Sequence, residues 1–304
     1  MGARITSQIL VDSVLTDIRA AQRRLAETQK ILSTGRRINT PADDPVGTAR
    51  ALGFRTAIST VEQFMSNIDD AKAFAGESEA SLRVVIDILH RARELTLSGA
   101  TGTLNQDQRD IIAREIDELL ETLVDQANTK YSDRYLFAGT RTRIAPFETS
   151  VDPVSGEITA VSYVGNSERF SVQVSAGVTA AVNEPGDRLF QSVQDTFQTF
   201  IGIRDDLRAG DTDSLSNVRI GEIDAVMTQV LDGTALFGAR MNRLDLFGQR
   251  LEDQVLSFRT QLSETEEADL AETVVTLNSR QNAFEAALSA GARVLQPSLL
   301  DFLA

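Results

Sequence analysis

Apolar positions near the start of the chain fall in a 3/4 alternation: Val11, Val14, Ile18, Ala21, Leu25, Thr28 and Leu32. Near the end, Leu270, Val274, Leu277, Gln281, Phe284, Leu288, Gly291 and Leu295 keep the same rhythm. Such a stripe is the seam of a coiled coil, too narrow to serve a helix buried on all sides. The first helix is expected from about residue 6 to Ser33, with Gly35 as its stop. The segment from Gly35 through Arg37, Asn39, Pro41, Asp43, Asp44 and Pro45 to Gly47 is dense in turn formers. Within it, Asp44-Pro45 reads as an N-cap followed by proline at the first helical position. A second helix then runs to about Leu97 on a stripe that includes Leu52, Val61, Ile68, Phe74, Leu82, Val85 and Leu89. Gly99 to Gly102 breaks it, Asn105 caps a third helix carrying Ile112, Ile116, Leu120 and Leu123, and the two form an αα-hairpin.

The period changes after about Tyr135. Prolines and glycines punctuate β-branched alternations at Ile158–Val164, Phe170–Val174 and Val178–Val182. Gly165-Asn166-Ser167 between the first two is a hairpin signal. Helix resumes at Arg188, breaks near Gly210–Asp213 and continues to the last residues. The fold class expected is therefore mainly α with a small β insert: a long antiparallel bundle or coiled coil of terminal helices plus an inserted all-β outer domain. Three regions are expected: a terminal coiled coil (1–40 with 265–304), a core bundle (41–143 with 187–264) and the β domain (144–186).

Charge supports pairing of the ends. Residues 1–40 carry seven Arg/Lys against three acids, whereas residues 261–304 carry two Arg against seven acids. The net charge of −14 leaves no basic surplus for phosphate neutralisation, so no nucleic-acid partner is expected. A hydrophobic share of 42% and a mean hydropathy of −0.13 describe a soluble chain, and no apolar run approaches a membrane span. Ile9-Leu10-Val11 is followed at once by Asp12, so no cleaved secretory leader is expected. With no cysteine, disulfides, thiol catalysis and thiolate metal sites are excluded.

Candidate chemistry is sparse. His90 is the single histidine, and a lone His without Cys makes no transition-metal site. The carboxylate pairs Asp43/Asp44, Asp69/Asp70 and Glu115/Glu118 with Asp117/Glu121 read as capping groups or ion-paired helix faces, not as a glycosidase dyad. Phosphate-binding glycine loops and calcium loops are missing. Neither catalysis nor a cofactor is expected.

The run Leu32-Ser-Thr-Gly-Arg-Arg-Ile-Asn-Thr-Pro-Ala-Asp-Asp-Pro-Val-Gly47 resembles the signature that joins the first two helices of the flagellin superfamily. Arg109–Ile116 through Ala127-Asn128-Thr129, Tyr135-Leu-Phe-Ala-Gly139 with Pro146-Phe147, and Ser298–Leu303 are similar to further family segments. The proline-bracketed turn and the single modest β insert resemble the hook-associated protein 3 branch. That resemblance implies a ring-forming structural adaptor at the hook–filament junction, exported through a type III channel and located outside the cell. It also implies other flagellar axial proteins as partners and a cytosolic export chaperone on the C-terminal helix. The expected interface comprises Val11, Val14, Ile18, Leu25, Leu32, Leu270, Val274, Leu277, Phe284, Leu288 and Leu295 of a homo-oligomer. Alternatives are a filament-forming flagellin and, more distantly, a secreted helical type III export substrate.

Overall fold

A computed structural model describes residues 2–295 in backbone and 9–293 in side chains. Leu295 therefore contributes no described side chain, and the segment Ser298–Leu303 lies outside the described residues. The helices are α1 (Gly2–Thr34), α2 (Pro45–Gly99), α3 (Gln106–Ala127), α4 (Gly186–Phe190), α5 (Thr196–Ala209), α6 (Thr212–Ser214), α7 (Ile220–Glu266) and α8 (Leu270–Leu295). A π-helical turn, Leu215–Arg219, leads from α6 into α7.

The contacts divide the chain into two compact units, residues 1–60 with 254–304 and residues 61–253. In the first, α1 packs antiparallel on α8, and the start of α2 meets the end of α7 through the Phe54 and Phe258 rings, 6.4 Å apart. The second unit has its core where α2, α3, α5 and α7 bury Leu82, Leu89, Ile116, Leu120, Phe200 and Phe237 completely. Several helix ends have local causes. Asn105 and Gln108 form a reciprocal capping box at the start of α3. Asp195 caps α5, which Gly210 ends in the left-handed conformation at φ 69°.

Three two-stranded antiparallel ribbons belong to the second unit: β1 (Lys130–Tyr131) with β2 (Arg134–Tyr135), β3 (Phe147–Val151) with β4 (Ile158–Tyr163), and β5 (Ser171–Ser175) with β6 (Val178–Ala181). Phe147 anchors the second ribbon, its ring lying 4.9 Å from that of Phe197 and 5.5 Å from that of Phe190. The expected hairpin at Gly165–Ser167 is corrected: β4 pairs backward with β3, not forward with β5. The side chain of Asn166 explains why. Its carbonyl accepts the Thr140 amide at 2.7 Å, and its backbone N–H donates to the Ala138 carbonyl at 3.3 Å. The turn formers thus fasten a crossing segment to residues 138–140, so they do not reverse the chain.

Candidate functional site

The terminal helices build one candidate surface. On α1, Val11, Val14, Ile18, Leu25 and Leu32 are all half-buried, and Thr28 is buried against α8. On α8, Leu277 and Phe284 are half-buried and Gly291 is buried. The other residues that complete this face are Thr273, Thr276, Arg280 and Ala287, small or polar side chains that the apolar rhythm passes over. Gly291 permits the close approach: a Cβ there would stand 2.9 Å from Ile18 Cδ1 and 3.1 Å from Val14 Cγ1. Arg280 donates from Nη1 to the Thr28 hydroxyl at 2.6 Å and to the Arg24 carbonyl at 2.7 Å, fixing the register. The remaining apolar positions of α8 are left open. Leu270, Val274 and Leu288 are 53%, 44% and 44% exposed, and Gln281 is exposed with them. The apolar band of α8 is therefore wider than the strip that α1 covers, as geometry requires when one helix meets one neighbour.

The Gly35–Gly47 turn fastens this pair. Gly35 takes φ +69°, which ends α1, and its N–H donates to the Ile31 carbonyl at 2.8 Å. Arg37 N–H donates to the Glu266 carbonyl at 2.7 Å and Ala268 N–H to the Gly35 carbonyl at 3.0 Å, so a short antiparallel bridge ties residues 35–37 to 266–268. The Arg37 guanidinium adds a bond to the Thr265 carbonyl at 2.8 Å and lies 3.6 Å from Asp44. Asn39 Nδ2 donates to the Arg36 carbonyl at 2.7 Å, while Ile38 plugs the turn from inside. Asp44 Oδ1 accepts the Gly47 N–H at 2.8 Å and caps α2, with Pro45 following and Pro41 exposed. A Cβ on Gly47 would sit 2.4 Å from Asp44 Oδ2 and 2.5 Å from Ile38 Cδ1, so a larger residue there would have to displace the capping carboxylate and the Ile38 side chain. Beneath the turn the buried carboxylate of Glu266 pairs with Arg36 at 3.4 Å and with Arg55. No local sequence pattern marks this clasp, because Arg55 stands 211 residues from Glu266.

Asp43 Oδ2 accepts the amides of Thr40 and Asn39 at 2.8 and 3.0 Å, which holds its carboxyl below the ordinary range; the Gly47 amide does the same for Asp44. A carboxyl whose folded pKa is lowered contributes stability above its unfolded value, and that contribution disappears as pH falls through the folded value. The turn is therefore expected to hold at pH 5 and to loosen below about pH 4. Amide exchange at Thr40 and Gly47, followed from pH 5 to 2.5 and corrected for intrinsic rates, checks this; unchanged protection refutes it.

The residues considered for chemistry are dispersed. His90 is exposed on α2. Asp43 and Asp44 are committed to backbone amides, and Glu115 pairs with Arg91 at 2.6 Å. Asp69 and Asp70 are exposed. Asp117 joins Arg204 at 3.1 Å and Arg208 at 2.8 Å, and burial pushes its carboxyl up. A cleft of about 320 Å³ beside α2 is lined by Asn67, Asp70, Phe74, Tyr131, Arg134 and Phe170 among others, with Asp70 as its one carboxylate. Among the described residues, no group of three or more His, Asp or Glu could hold a metal ion, and no helix is long and apolar enough to cross a membrane.

Comparison with known proteins matches residues 5–142 to the bacterial flagellin N-terminal helical region and residues 220–303 to the bacterial flagellin C-terminal helical region. The chain is 28% identical over 195 residues to flagellar hook-associated protein 3 of Escherichia coli, covering 62% of this chain and 57% of that relative's length. It is 26% identical over 288 residues to the flagellar filament 31.3 kDa core protein of Treponema maltophilum, covering 91% and 92% of the two chains. A solved flagellar hook-associated protein structure from Vibrio parahaemolyticus shares the fold, with a TM-score of 0.67, 23% identity and coverage of 74% of this chain and 100% of that one. With both terminal helical regions matched and most of the chain covered, the protein belongs to the bacterial flagellin family.

Proposed function

We propose that the chain is a structural adaptor subunit of the bacterial flagellum, assembling as a ring at the hook–filament junction and connecting hook to filament. The observation that carries this reading is the uncovered band on α8, Leu270, Val274 and Leu288, left open by the one helix that packs against it. Burying one such side chain completely contributes about 1.5–3 kcal/mol. Neighbouring subunits supply that burial, with the seam residues of α1 and α8 as the assembly element and the Gly35–Gly47 turn holding their register. Similarity to a hook-associated protein 3 supports the junction over other places in the flagellum. On this reading the partners are further copies of the chain, a hook-side junction protein and flagellin. Before export through the flagellar type III channel, a cytosolic chaperone covers the C-terminal helix. The role is mechanical, extracellular, and needs neither catalysis nor a cofactor.

Deleting the gene tests the proposal. Hooks without filaments, with flagellin released into the medium, are the expected result. Loss of the main filament band itself would instead favour a filament-forming flagellin, the second reading, which rests on the nearly full-length match to a filament core protein. Intact motility overturns both.

Because the seam is half-covered in a single chain, α1 and α8 are expected to exchange amide hydrogens quickly in dilute monomer and to become protected on assembly. Strong protection at Leu25 and Leu277 in the monomer would contradict this expectation.

A further inference from the structure

The cleft beside α2 plays no part in joining subunits through the terminal helices, since all its lining residues lie within residues 61–253. Asp70 and Phe74 stand four residues apart on one face of α2, which forms the first wall. The β1–β2 ribbon forms the second. Its cross-strand partners Tyr131 and Arg134 both line the cleft, whereas the other pair puts the Lys130 ammonium 4.5 Å from the centre of the Tyr135 ring. Phe170, at the start of β5, completes the enclosure. Asn67 of α2 pins that strand by donating from Nδ2 to the Gln173 carbonyl at 3.0 Å. Three rings make the floor: Phe74 is buried, and Tyr131 and Phe170 meet it edge-on at 6.3 and 5.2 Å. Polar groups surround them. Among the described residues, the side chains of Asp70, Ser132 and Arg134 are exposed and make no hydrogen bond or ion pair, and the Tyr131 hydroxyl makes none either. A tight two-residue turn, with Ser132 at φ 44° and Asp133 at φ 62°, sets Ser132 at the rim.

We propose that this cleft binds one neutral sugar ring, a hexopyranose. The rim selects that chemistry. The Asp70 carboxylate only accepts hydrogen bonds and the Arg134 guanidinium only donates them, while the Tyr131 and Ser132 hydroxyls do both. A simple anion is repelled by Asp70 and a simple cation by Arg134. A zwitterionic amino acid would depend on two exposed ion pairs, and such pairs contribute little in water. A pyranose carries no charge, donates to the carboxylate and accepts from the guanidinium. Its C–H face lies against the aromatic floor, where apolar contact supplies the adhesion. At about 320 Å³ the cleft stands at the small end of the range for ligand sites, about 300–1,000 Å³, so it accommodates a single ring.

Full-length protein carrying ¹³C-labelled tyrosine tests this by NMR, since the chain has 3 tyrosines and Tyr131→Phe identifies the signals of the one in the cleft. Methyl β-D-glucopyranoside and methyl β-D-galactopyranoside are titrated in turn. At least one is expected to shift the Tyr131 ring signals with a Kd of about 1 mM, ordinary for a ligand of about a dozen heavy atoms. Tyr163, outside the cleft, should not respond. Asp70→Ala and Arg134→Ala are each expected to weaken binding about fivefold. Their thermal midpoints should stay within about 2 °C of the unmodified chain, because neither side chain has a protein partner to lose. Arg143→Ala, exposed and outside the cleft, should leave the Kd unchanged. L-Phenylalanine, sodium phosphate and tetramethylammonium chloride serve as zwitterion, anion and cation, and none is expected to shift Tyr131 at the concentrations where the glycosides do. The proposal is overturned by silence of Tyr131 towards both glycosides, by an equal response to any charged probe, or by unchanged affinity in both cleft variants. Each of these results leaves the assembly reading standing.

Discussion

Replacing Arg204 with alanine is expected to destabilise residues 61–253 by roughly 3–5 kcal/mol, the range for breaking a buried charge network from one side. Arg204 is buried, and its guanidinium serves three acceptors on three elements: Asp117 of α3 at 3.1 Å, Asp205 of α5 at 2.9 Å and the Ile158 carbonyl of β4 at 2.7 Å. Alanine removes all three bonds and leaves the strand carbonyl buried without its donor. At roughly 2–4 °C per kcal/mol for a unit of this size, the thermal midpoint should fall by about 6–20 °C in calorimetry. Arg204→Lys recovers little, because a point charge cannot span three separated acceptors. Arg93→Ala breaks an exposed pair with Asp224 and serves as the control, with a loss under about 1 kcal/mol. A midpoint for Arg204→Ala within 2 °C of the unmodified chain would refute the account. The same network sets its own acid limit. Arg208 holds the Glu157 carboxyl below its ordinary value, so Glu157 contributes stability above about pH 4.5 that is lost as pH falls. Asp117, pushed up by burial, binds a proton more readily folded than unfolded and does not drive acid unfolding.

The second large effect is expected at the clasp beneath the turn. Arg36→Ala combined with Arg55→Ala leaves the Glu266 carboxylate buried without a cation, again at a cost of roughly 3–5 kcal/mol. Either substitution alone leaves one arginine in place and should cost much less. Adding Glu266→Gln to the double variant removes the stranded charge and should restore most of the loss, which separates charge burial from packing. Limited proteolysis reads the outcome. Cleavage within residues 36–44 and 263–269 should accelerate strongly in the double variant and slow again in the triple. Equal cleavage in the unmodified chain and the double variant would sink the assignment.

Much of this molecule was legible because its signals are local. The α1 stop at Gly35, the Asp44-Pro45 start of α2 and the Asn105 box each lie within four residues of the bonds they make. The α1 stripe could be read for the same reason, since apolar spacing alone marks it. The facing stripe of α8 could be read only in part: Leu277, Phe284 and Gly291 keep the rhythm, whereas Thr273 and Arg280 contribute size and hydrogen bonds instead of hydrophobicity. The β1–β2 turn escaped notice as well: Ser132 and Asp133 both take positive φ without the glycine that normally advertises it. Asn166 misled in the other direction, a turn former recruited as a long-range fastener. The Glu266 clasp and the Arg204 network depend on partners brought together only by the finished fold.

The bridge that joins residues 35–37 to 266–268 has a consequence for the order of folding. Closing a loop of roughly 230 residues in an otherwise unfolded chain costs about 5 kcal/mol of entropy, before any contact between α1 and α8 repays it. Residues 61–253 are continuous in sequence, and once folded they bring their own ends together: Met65 and Ile68 share a cleft with Leu244, Gly248 and Glu252, and Lys72 pairs with Asp245. The remaining search is then confined to short tethers. The terminal pair is thus expected to form last and to be lost first, after residues 61–253 have shortened the loop it must close.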